Sequence, residues 1–454
     1  MFVLGPRMFA LWRPASPTSR AQSTVALPLV QPDFLNGGPH KKHPGVTNLK
    51  TLQLPEELQK GALMLIHAAQ VNSLADRARR LSNLLWSRKR KVEDAQLRAR
   101  AKTLEKSLLE AEKSLNRDED ESQLEARIRK KVFYELRRTT YHWSPLRYDE
   151  ELGVVYMASR LAGGYAAVKR ALYEIKKRDP AFSPHSLLDF GSGLGTAVWA
   201  SHSLWPDSLK EMVCVDSSGA MNSLSDQLLR GGSEKNNPLI KEVYFRQFLP
   251  VSPKAQSDLV VAAFTLSELG SCEEREEATL TLWRKTSSYL VLVEHGTLEG
   301  YQILMEARES LLKNQDKVVV DKRKPSVFAP CPHELPCPLH QVSVPCNFIQ
   351  SYCPLPLPGS PERLQEKFSY LIMARTKIVG DIGSEGLAWA RLTAPVLRKP
   401  RHVHCQLCCS SGELRHVVVT ARHHGRDTYR CARNSDWGDR LPVAVVETCS
   451  GNIE

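Results

Sequence analysis

Two groups of side chains in this sequence have the types and spacing for chemistry. The first is Asp189-Phe-Gly191-Ser-Gly193-Leu-Gly195, which follows the apolar pair Leu187-Leu188 and precedes the helix-forming run Thr196-Ala-Val-Trp-Ala200. Glycines at such a turn let the backbone bend sharply and approach a bound molecule where a Cβ would collide. The helix that follows aims its free N–H groups at the same place. About twenty residues on, the apolar run Met212-Val-Cys-Val215 ends in Asp216, an acid placed to accept hydrogen bonds from ribose hydroxyls. The second group is cysteine. Cys331, Cys337, Cys346 and Cys353 lie in a proline-rich stretch, and His402, His404, Cys405, Cys408 and Cys409 follow in a basic tail.

The pattern Asp-x-Gly-x-Gly-x-Gly resembles the S-adenosylmethionine (SAM) methyltransferases more than the Gly-x-Gly-x-x-Gly of dinucleotide-binding folds. It assigns cofactor binding to Asp189, Gly191, Gly193, Gly195 and Asp216. The reacting half of such an enzyme is not legible. Where amino-methylating relatives carry an Asn/Asp-Pro-Pro-aromatic loop, this chain has Ala263-Phe-Thr-Leu-Ser-Glu268. Cys272 sits in Ser-Cys-Glu-Glu, which does not match the setting of a base-methylating nucleophile. Glu268 or His295 could act as a general base, although a lone acid or imidazole at a strand end is more often structural. No catalytic residue is assigned.

Eleven cysteines in a compartment that keeps thiols reduced point to metal ligation over disulfides. The two cysteine groups are expected to be joined by a metal-linked centre. Cys405-x-x-Cys408 resembles half of a zinc site. The five- and eight-residue gaps in the first group do not resemble zinc-ribbon spacing, and a four-thiolate iron–sulfur cluster fits them at least as well.

These residues need elements to hold them. Strands are expected at Leu187–Asp189, Met212–Asp216, Glu242–Phe245, Asp258–Ala263 and Tyr289–Glu294, with helices over Glu273–Lys285 and Tyr301–Leu312. This is the alternation of a doubly wound sheet, whose ligands sit at the carboxyl ends of the strands. Phe368–Ala374 returns as a strand, so residues 326–353 read as a Cys-rich insertion, without secondary structure of its own, between the sixth and seventh strands. Residues 23–178 form a helical region, with Asp118–Glu121 as a loop between two helices. Residues 179–376 form the α/β domain. Residues 377–454 form a basic β unit, with a hairpin pairing Val417–Thr420 and Asp427–Arg430 around His423–Arg426.

Composition narrows the setting. The chain has 454 residues, 42% hydrophobic and 25% charged, with a net charge of +12, and no apolar run long enough for a bilayer span. Residues 1–32 lack Asp and Glu but carry Arg7, Arg13 and Arg20, the composition of a mitochondrial transit peptide, assigned to residues 1–22. From Ser73 to Thr140 there are nineteen Lys or Arg against twelve Asp or Glu. Arg398–Arg440 has nine against four, plus five His. Such stretches are either solvated faces or arms lying along RNA phosphates.

With these residues in place, the chain resembles the ribosomal small-subunit methyltransferase-like family of mitochondria and bacteria. The most specific segments are Ala329-Pro-Cys-Pro-His333 with Cys337-Pro338, Cys346-Asn-Phe348, Lys367-Phe-Ser-Tyr370, and Arg401-His-Val403 with Leu407-Cys408. The resemblance covers nearly the whole chain after the presequence. It implies a Rossmann-like SAM-methyltransferase fold with a seven-stranded sheet. It also implies a [4Fe–4S] cluster, zinc being the alternative, on Cys331, Cys337, Cys346 and Cys408, with Cys405 or Cys409 as other choices for the fourth ligand. A matrix protein assembling the small mitochondrial ribosomal subunit is the implied role. Its partners would be that subunit's rRNA, ribosomal proteins and other assembly factors, with no membrane. An active rRNA methyltransferase is the alternative.

Overall fold

The computed structural model describes residues 25–28, 40–113, 121–250, 252, 255–313, 323–375 and 389–446. The transit-peptide stretch and most of the Asp118–Glu121 run lie outside them. After β1 (Val25–Pro28) come α1 (Glu56–Ala69), α2 (Leu74–Ser87), α3 (Asp94–Lys113), α4 (Glu121–Thr139) and the long α5 (Glu150–Arg178). Strands and helices then alternate through β2 (Ser186–Phe190), α6 (Thr196–Leu204), β3 (Glu211–Val215), α7 (Gly219–Leu229) and β4 (Val243–Arg246). The alternation continues through β5 (Ser257–Ala263), α8 (Cys272–Arg284), β6 (Thr286–His295), α9 (Leu298–Lys313) and β7 (Ser326–Ala329). A short α10 (Pro338–Gln341), β8 (Phe348–Tyr352) and β9 (Leu364–Ala374) complete the domain. The C-terminal unit holds β10 (Ala390–Leu392), β11 (Leu397–Arg398), β12 (His402–Cys408), β13 (Leu414–Thr420), α11 (Ala421–His424), α12 (Arg426–Asn434), β14 (Arg440–Leu441) and β15 (Val443–Val446). β15 pairs antiparallel with β1.

The sheet runs β4-β3-β2-β5-β6-β9-β7. Its first five strands are parallel, and β9 is antiparallel to both β6 and β7. Counted along the chain this is the order 3-2-1-4-5-7-6, a Rossmann-like methyltransferase fold. Burial follows the two-residue period of a strand covered on both faces. Tyr289, Val291 and Val293 of β6 enter the core under α1, α5, α6 and α7, while Leu290 and Leu292 enter the core under α8 and α9.

Two expectations need correction. The 326–353 stretch is not a bare loop: it contains β7, α10 and β8, and β8 joins β9 as an eighth strand of the sheet. Phe348, Gln350 and Tyr352 are its buried positions, an alternation masked in the sequence by neighbouring prolines and cysteines. The second concerns Asp427–Arg430, which lies in α12 and not in a strand. Thr428, Cys431 and Ala432 are buried at helical spacing, and burial at that period outweighs the β preference of Thr and Tyr. The hairpin instead joins β12 to β13, with Gly412 at φ +80° in its turn.

α5 begins at Asp149, whose carboxylate accepts the Leu152 N–H at 2.8 Å. The helix ends before Pro180, which bars the preceding residue from helical geometry. Nineteen of its residues are buried, among them Glu174, and that acid is a junction. Its Oε1 accepts from Arg391 Nη2 of β10 at 2.6 Å, and its Oε2 accepts from Arg170 at 3.2 Å and from the Tyr370 hydroxyl of β9 at 3.3 Å. Arg178 lies 3.7 Å from Oε1. Arg391 also donates to the carbonyls of Pro330 and Gly438, at 2.9 and 2.8 Å. Burial alone would raise the Glu174 pKa, but the guanidiniums of Arg391, Arg170 and Arg178 outweigh it and hold the carboxyl far below the carboxylate range.

Replacing Glu174 by Gln leaves buried guanidiniums uncompensated and should cost about 3–5 kcal/mol. Because the folded-state pKa is depressed, the stabilisation is present above the unfolded carboxylate value and is lost only as pH falls below it. Urea melts at neutral and acidic pH should therefore show the two proteins converging in acid. A difference that does not shrink there would overturn this account.

Candidate functional site

The carboxyl ends of β2, β3, β4 and β5 open onto a cavity of about 410 Å³, within the range of small-molecule sites. Gly191, Gly193 and Asp216 line it, and Gly195 stands beside it at the head of α6. All three glycines have positive φ, at 68°, 52° and 71°. Gly191 is needed twice over, because a Cβ there would lie 2.2 Å from the Thr265 hydroxyl oxygen. At Gly193 the nearest atom is 3.6 Å away, so its neighbours are set back and the backbone faces the cavity.

Asp216 is organised by the turn it faces. Its Oδ2 accepts from the Gly193 N–H and its Oδ1 from the Ser218 N–H, both at 2.9 Å. Burial raises its pKa against those two bonds. Asp189 does not line the cavity. It sits at 2% exposure with Oδ2 unpartnered among the described residues, and burial, followed by the nearby Asp216, pushes its pKa up to about 8. That shift favours the neutral acid, which is able to donate a hydrogen bond. The glycine turn and the acid after β3 therefore come together as expected from spacing. The opposite wall was not legible in the sequence. Tyr148, Tyr156, Met221 and Phe248 line the cavity too. Phe248 follows β4 at its carboxyl end and could have been found by the strand-end rule, whereas nothing local marks Tyr148.

At the end of β5, Phe264 has φ +59°, a conformation rare for an aromatic residue. Its ring packs on His295 at 4.8 Å and lies under the Arg160 guanidinium at 5.2 Å. Glu268 reaches the cavity but accepts from the Tyr148 hydroxyl at 2.8 Å and faces Arg88 at 3.6 Å. His295 is buried, and burial drives its pKa well below the imidazole range. Glu294 accepts the Ser267 N–H at 3.1 Å on one oxygen and has no partner for the other among the described residues, and burial lifts its pKa to about 7. Cys272 lines neither this cavity nor the small recess at Glu268, Glu294 and His295.

A second convergence lies at the seam between the sheet domain and the C-terminal unit. Cys331 and Cys337 belong to the α8–α9 core, and Cys346 packs against it. The Cys408 thiol reaches this seam from β12, 3.3 Å from His333 Nε2. Cys405 and Cys409, of opposite strand parity, lie in the core of the C-terminal unit with Leu407. The Cys331 thiol and the Tyr301 hydroxyl, the latter at 3.1 Å, both hydrogen-bond Cys337 and hold it below the ordinary thiol range. Cys331 is pushed up by the same hydrogen bond and by burial. Burial also raises Cys346, and takes Cys408 to about 12. Among the described residues, no three or more His, Cys, Asp or Glu side chains converge on a point that one metal ion could occupy. Sequence reasoning missed His333 and Tyr301, whose approach to the sulfurs depends on how α9 packs on the insertion.

Against this geometry stand the comparisons. The family model described as mitochondrial small ribosomal subunit Rsm22 matches residues 150–442, from the start of α5 through β14. The chain belongs to the Rsm22 family. It is 49% identical over 432 residues to the human ribosome assembly protein METTL17, mitochondrial, covering 94% of this chain and 92% of that one. The Rsm22-cox11 tandem protein 2 of Schizosaccharomyces pombe, mitochondrial, is 25% identical over 325 residues, 64% of this chain and 43% of that protein. Among solved structures, magnesium protoporphyrin IX methyltransferase from Synechocystis PCC 6803 is 14% identical over 54% of this chain and 94% of its own, with a TM-score of 0.30. The fold assignment rests on the strand order. Within the Rsm22 match fall both the glycine turn and the thiols of the seam.

Asp189 gives a pH test. Its folded-state pKa is raised, so the native carboxyl stays neutral while the unfolded one ionises. Stability contributed by this group falls by about 1.4 kcal/mol per pH unit between about 4 and 8, and levels off above that. Asp189→Asn removes this penalty, and its stability relative to wild type should rise across that window in melts of the ligand-free protein. A difference that is flat with pH would refute the assignment.

Proposed function

We propose that this protein is an assembly factor of the mitochondrial small ribosomal subunit, acting in the matrix and binding rRNA through its methyltransferase-like fold and its basic segments. In this reading SAM occupies the cavity at Gly191, Gly193, Gly195 and Asp216, with Asp189 buried in β2. Cys331, Cys337, Cys346 and Cys408 hold a [4Fe–4S] cluster across the seam, and methyl transfer is slight or absent. Family membership and the name of the human relative support the assembly role. The observation that carries the reading is the contrast within the cavity. Gly191, Gly193 and Asp216 line its near end, whereas the acid at its far end, Glu268, is already engaged by Tyr148 and Arg88.

The four thiols of the seam are the donors that a cluster would take, with zinc as the alternative. Four thiols face one seam with a hydroxyl and an imidazole hydrogen-bonded to two of the sulfurs, and such bonds tune iron–sulfur centres. One zinc ion would need its donors gathered around one point, and among the described residues no three or more are so gathered. When bound, the cluster would tie the two units together; the chain's own part is to supply the four thiols, three of them buried and Cys346 partly so.

A second reading, an active SAM-dependent rRNA methyltransferase, has one observation in its favour. Glu294 keeps a free carboxylate oxygen, with its pKa at about 7, at the recess next to the cavity, which suits a general base.

In cells lacking the wild-type protein, Gly193→Arg should place a long side chain in the cavity, abolish SAM binding and still restore small-subunit sedimentation. If a folded, subunit-bound Gly193→Arg protein fails to restore assembly, the cofactor is required. Glu294→Gln separates catalysis from scaffolding: unchanged rRNA methylation is expected, and its loss would establish the enzyme. For the seam, Cys408→Ser should lose the brown chromophore of anaerobically purified protein, while Cys405→Ser keeps it. The reverse result would move the fourth ligand to Cys405.

A further inference from the structure

The hairpin of α3 and α4 stands outside the cores of the molecule. Ile128 and Val132 are buried, but among the described residues no hairpin side chain joins the clusters of the sheet, the α2–α5 contact or the C-terminal unit. Along one face of α4, Lys130, Phe133, Tyr134 and Arg137 follow one another at i, i+3, i+4 and i+7, and all four are exposed. The rings of Phe133 and Tyr134 are 67% and 65% exposed. They border an open groove of about 590 Å³ that Leu108 and Lys130 also line.

The charges on this helix fall into two classes. Arg127 and Lys131 are tied to Glu112, and Arg138 to Glu135. Lys130 and Arg137, which flank the two rings, have no ion-pair partner among the described residues. They lie about 10 Å apart along the helix axis. An apolar protein surface seated on the rings would have to bury both cations unpaired, which is costly. A nucleic-acid strand brings flat π-faces and phosphates together, the complement of this pattern. Bases inside an A-form duplex are stacked away from such rings, so the strand must be single.

We propose that this face of α4 binds single-stranded RNA, Phe133 and Tyr134 stacking on bases while Lys130 and Arg137 contact the neighbouring phosphates. The inference builds on the rRNA-binding role above and names the form of RNA and the side chains that read it.

The test uses the full-length protein, fluorescence anisotropy, and a labelled mixed-sequence single-stranded RNA oligonucleotide beside the same sequence annealed as a duplex. Phe133→Ala with Tyr134→Ala should weaken single-strand binding about tenfold or more, with little change for the duplex and no change in the salt dependence. Lys130→Ala with Arg137→Ala should weaken binding and reduce the slope of log affinity against log salt by about 1.4. Ultraviolet crosslinking should recover RNA on the peptide bearing Phe133-Tyr134. Circular dichroism checks that helicity is kept, and Phe133→Tyr with Tyr134→Phe should bind as wild type does.

Wild-type single-strand affinity in the double ring variant, or a crosslink found elsewhere, would overturn the proposal. If the ring variant keeps its RNA affinity but no longer sediments with the small subunit, the face docks a protein and the RNA assignment is wrong. The assembly role fails on a separate result, namely wild-type protein that does not sediment with the subunit at all.

Discussion

One carboxylate holds the parts of this molecule in register. Glu174 is fully buried on α5, and its bonds reach β9 through Tyr370, the cysteine-bearing insertion through Arg391 and the Pro330 carbonyl, and the C-terminal unit through Arg391 itself. Arg170, paired to the same acid, donates to the Thr47 hydroxyl at 2.6 Å and so fixes the segment before α1. An ion cluster of this kind adds little net stability compared with an apolar core, because desolvation offsets most of the Coulomb attraction. Its consequence is geometric. Arg391 is bonded to Glu174, Pro330 and Gly438 at once, and those bonds set where β10 meets the sheet domain.

The thiol seam depends on that setting. Cys331 follows Pro330, whose carbonyl Arg391 holds at 2.9 Å, and Arg391 is close enough to Cys346 and Cys408 to favour their thiolates. Arg308 of α9 donates to the His333 and Leu335 carbonyls and fixes the other side of the insertion. Thiols drawn from residues so far apart in the chain meet only when both units are folded and docked, so binding of any centre there would be coupled to that docking. The N-terminal segment adds to the same joint. Asp439 accepts the N–H groups of Thr47 and Asn48 at 2.7 and 3.0 Å, and β1 pairs with β15.

The cavity shows a division of labour within one fold. Its glycine turn and Asp216 form from local sequence, as a strand, a turn and a helix N-terminus must. The far end is assembled from distant pieces, with Tyr148 and Tyr156 from the approach to α5 and from α5 itself, and Glu268 from the β5–α8 connection. Chemistry at the far end is therefore decided by packing. Tyr148 bridges both requirements, since its carbonyl accepts the Ser218 hydroxyl at 2.7 Å while its own hydroxyl donates to Glu268.

Much of this was legible beforehand. Short apolar runs between helical patterns imposed the parallel sheet, and three glycines with an acid on either side marked one end of the cavity, because backbone turns and strand burial are short-range constraints. Cysteine content led to the expectation that two segments meet, and the family resemblance favoured Cys408 over Cys405 and Cys409. Strand parity in β12 separates them, turning Cys408 towards the seam and the other two into the C-terminal core. Local preference misread Asp427–Arg430 as a strand, since what selects a helix there is burial against neighbours brought in by the fold. Sequence alone determined the parallel strands of the sheet and the types of chemistry available. Only the tertiary structure decided which side chains meet, because contact between residues hundreds of positions apart depends on packing that no local pattern encodes.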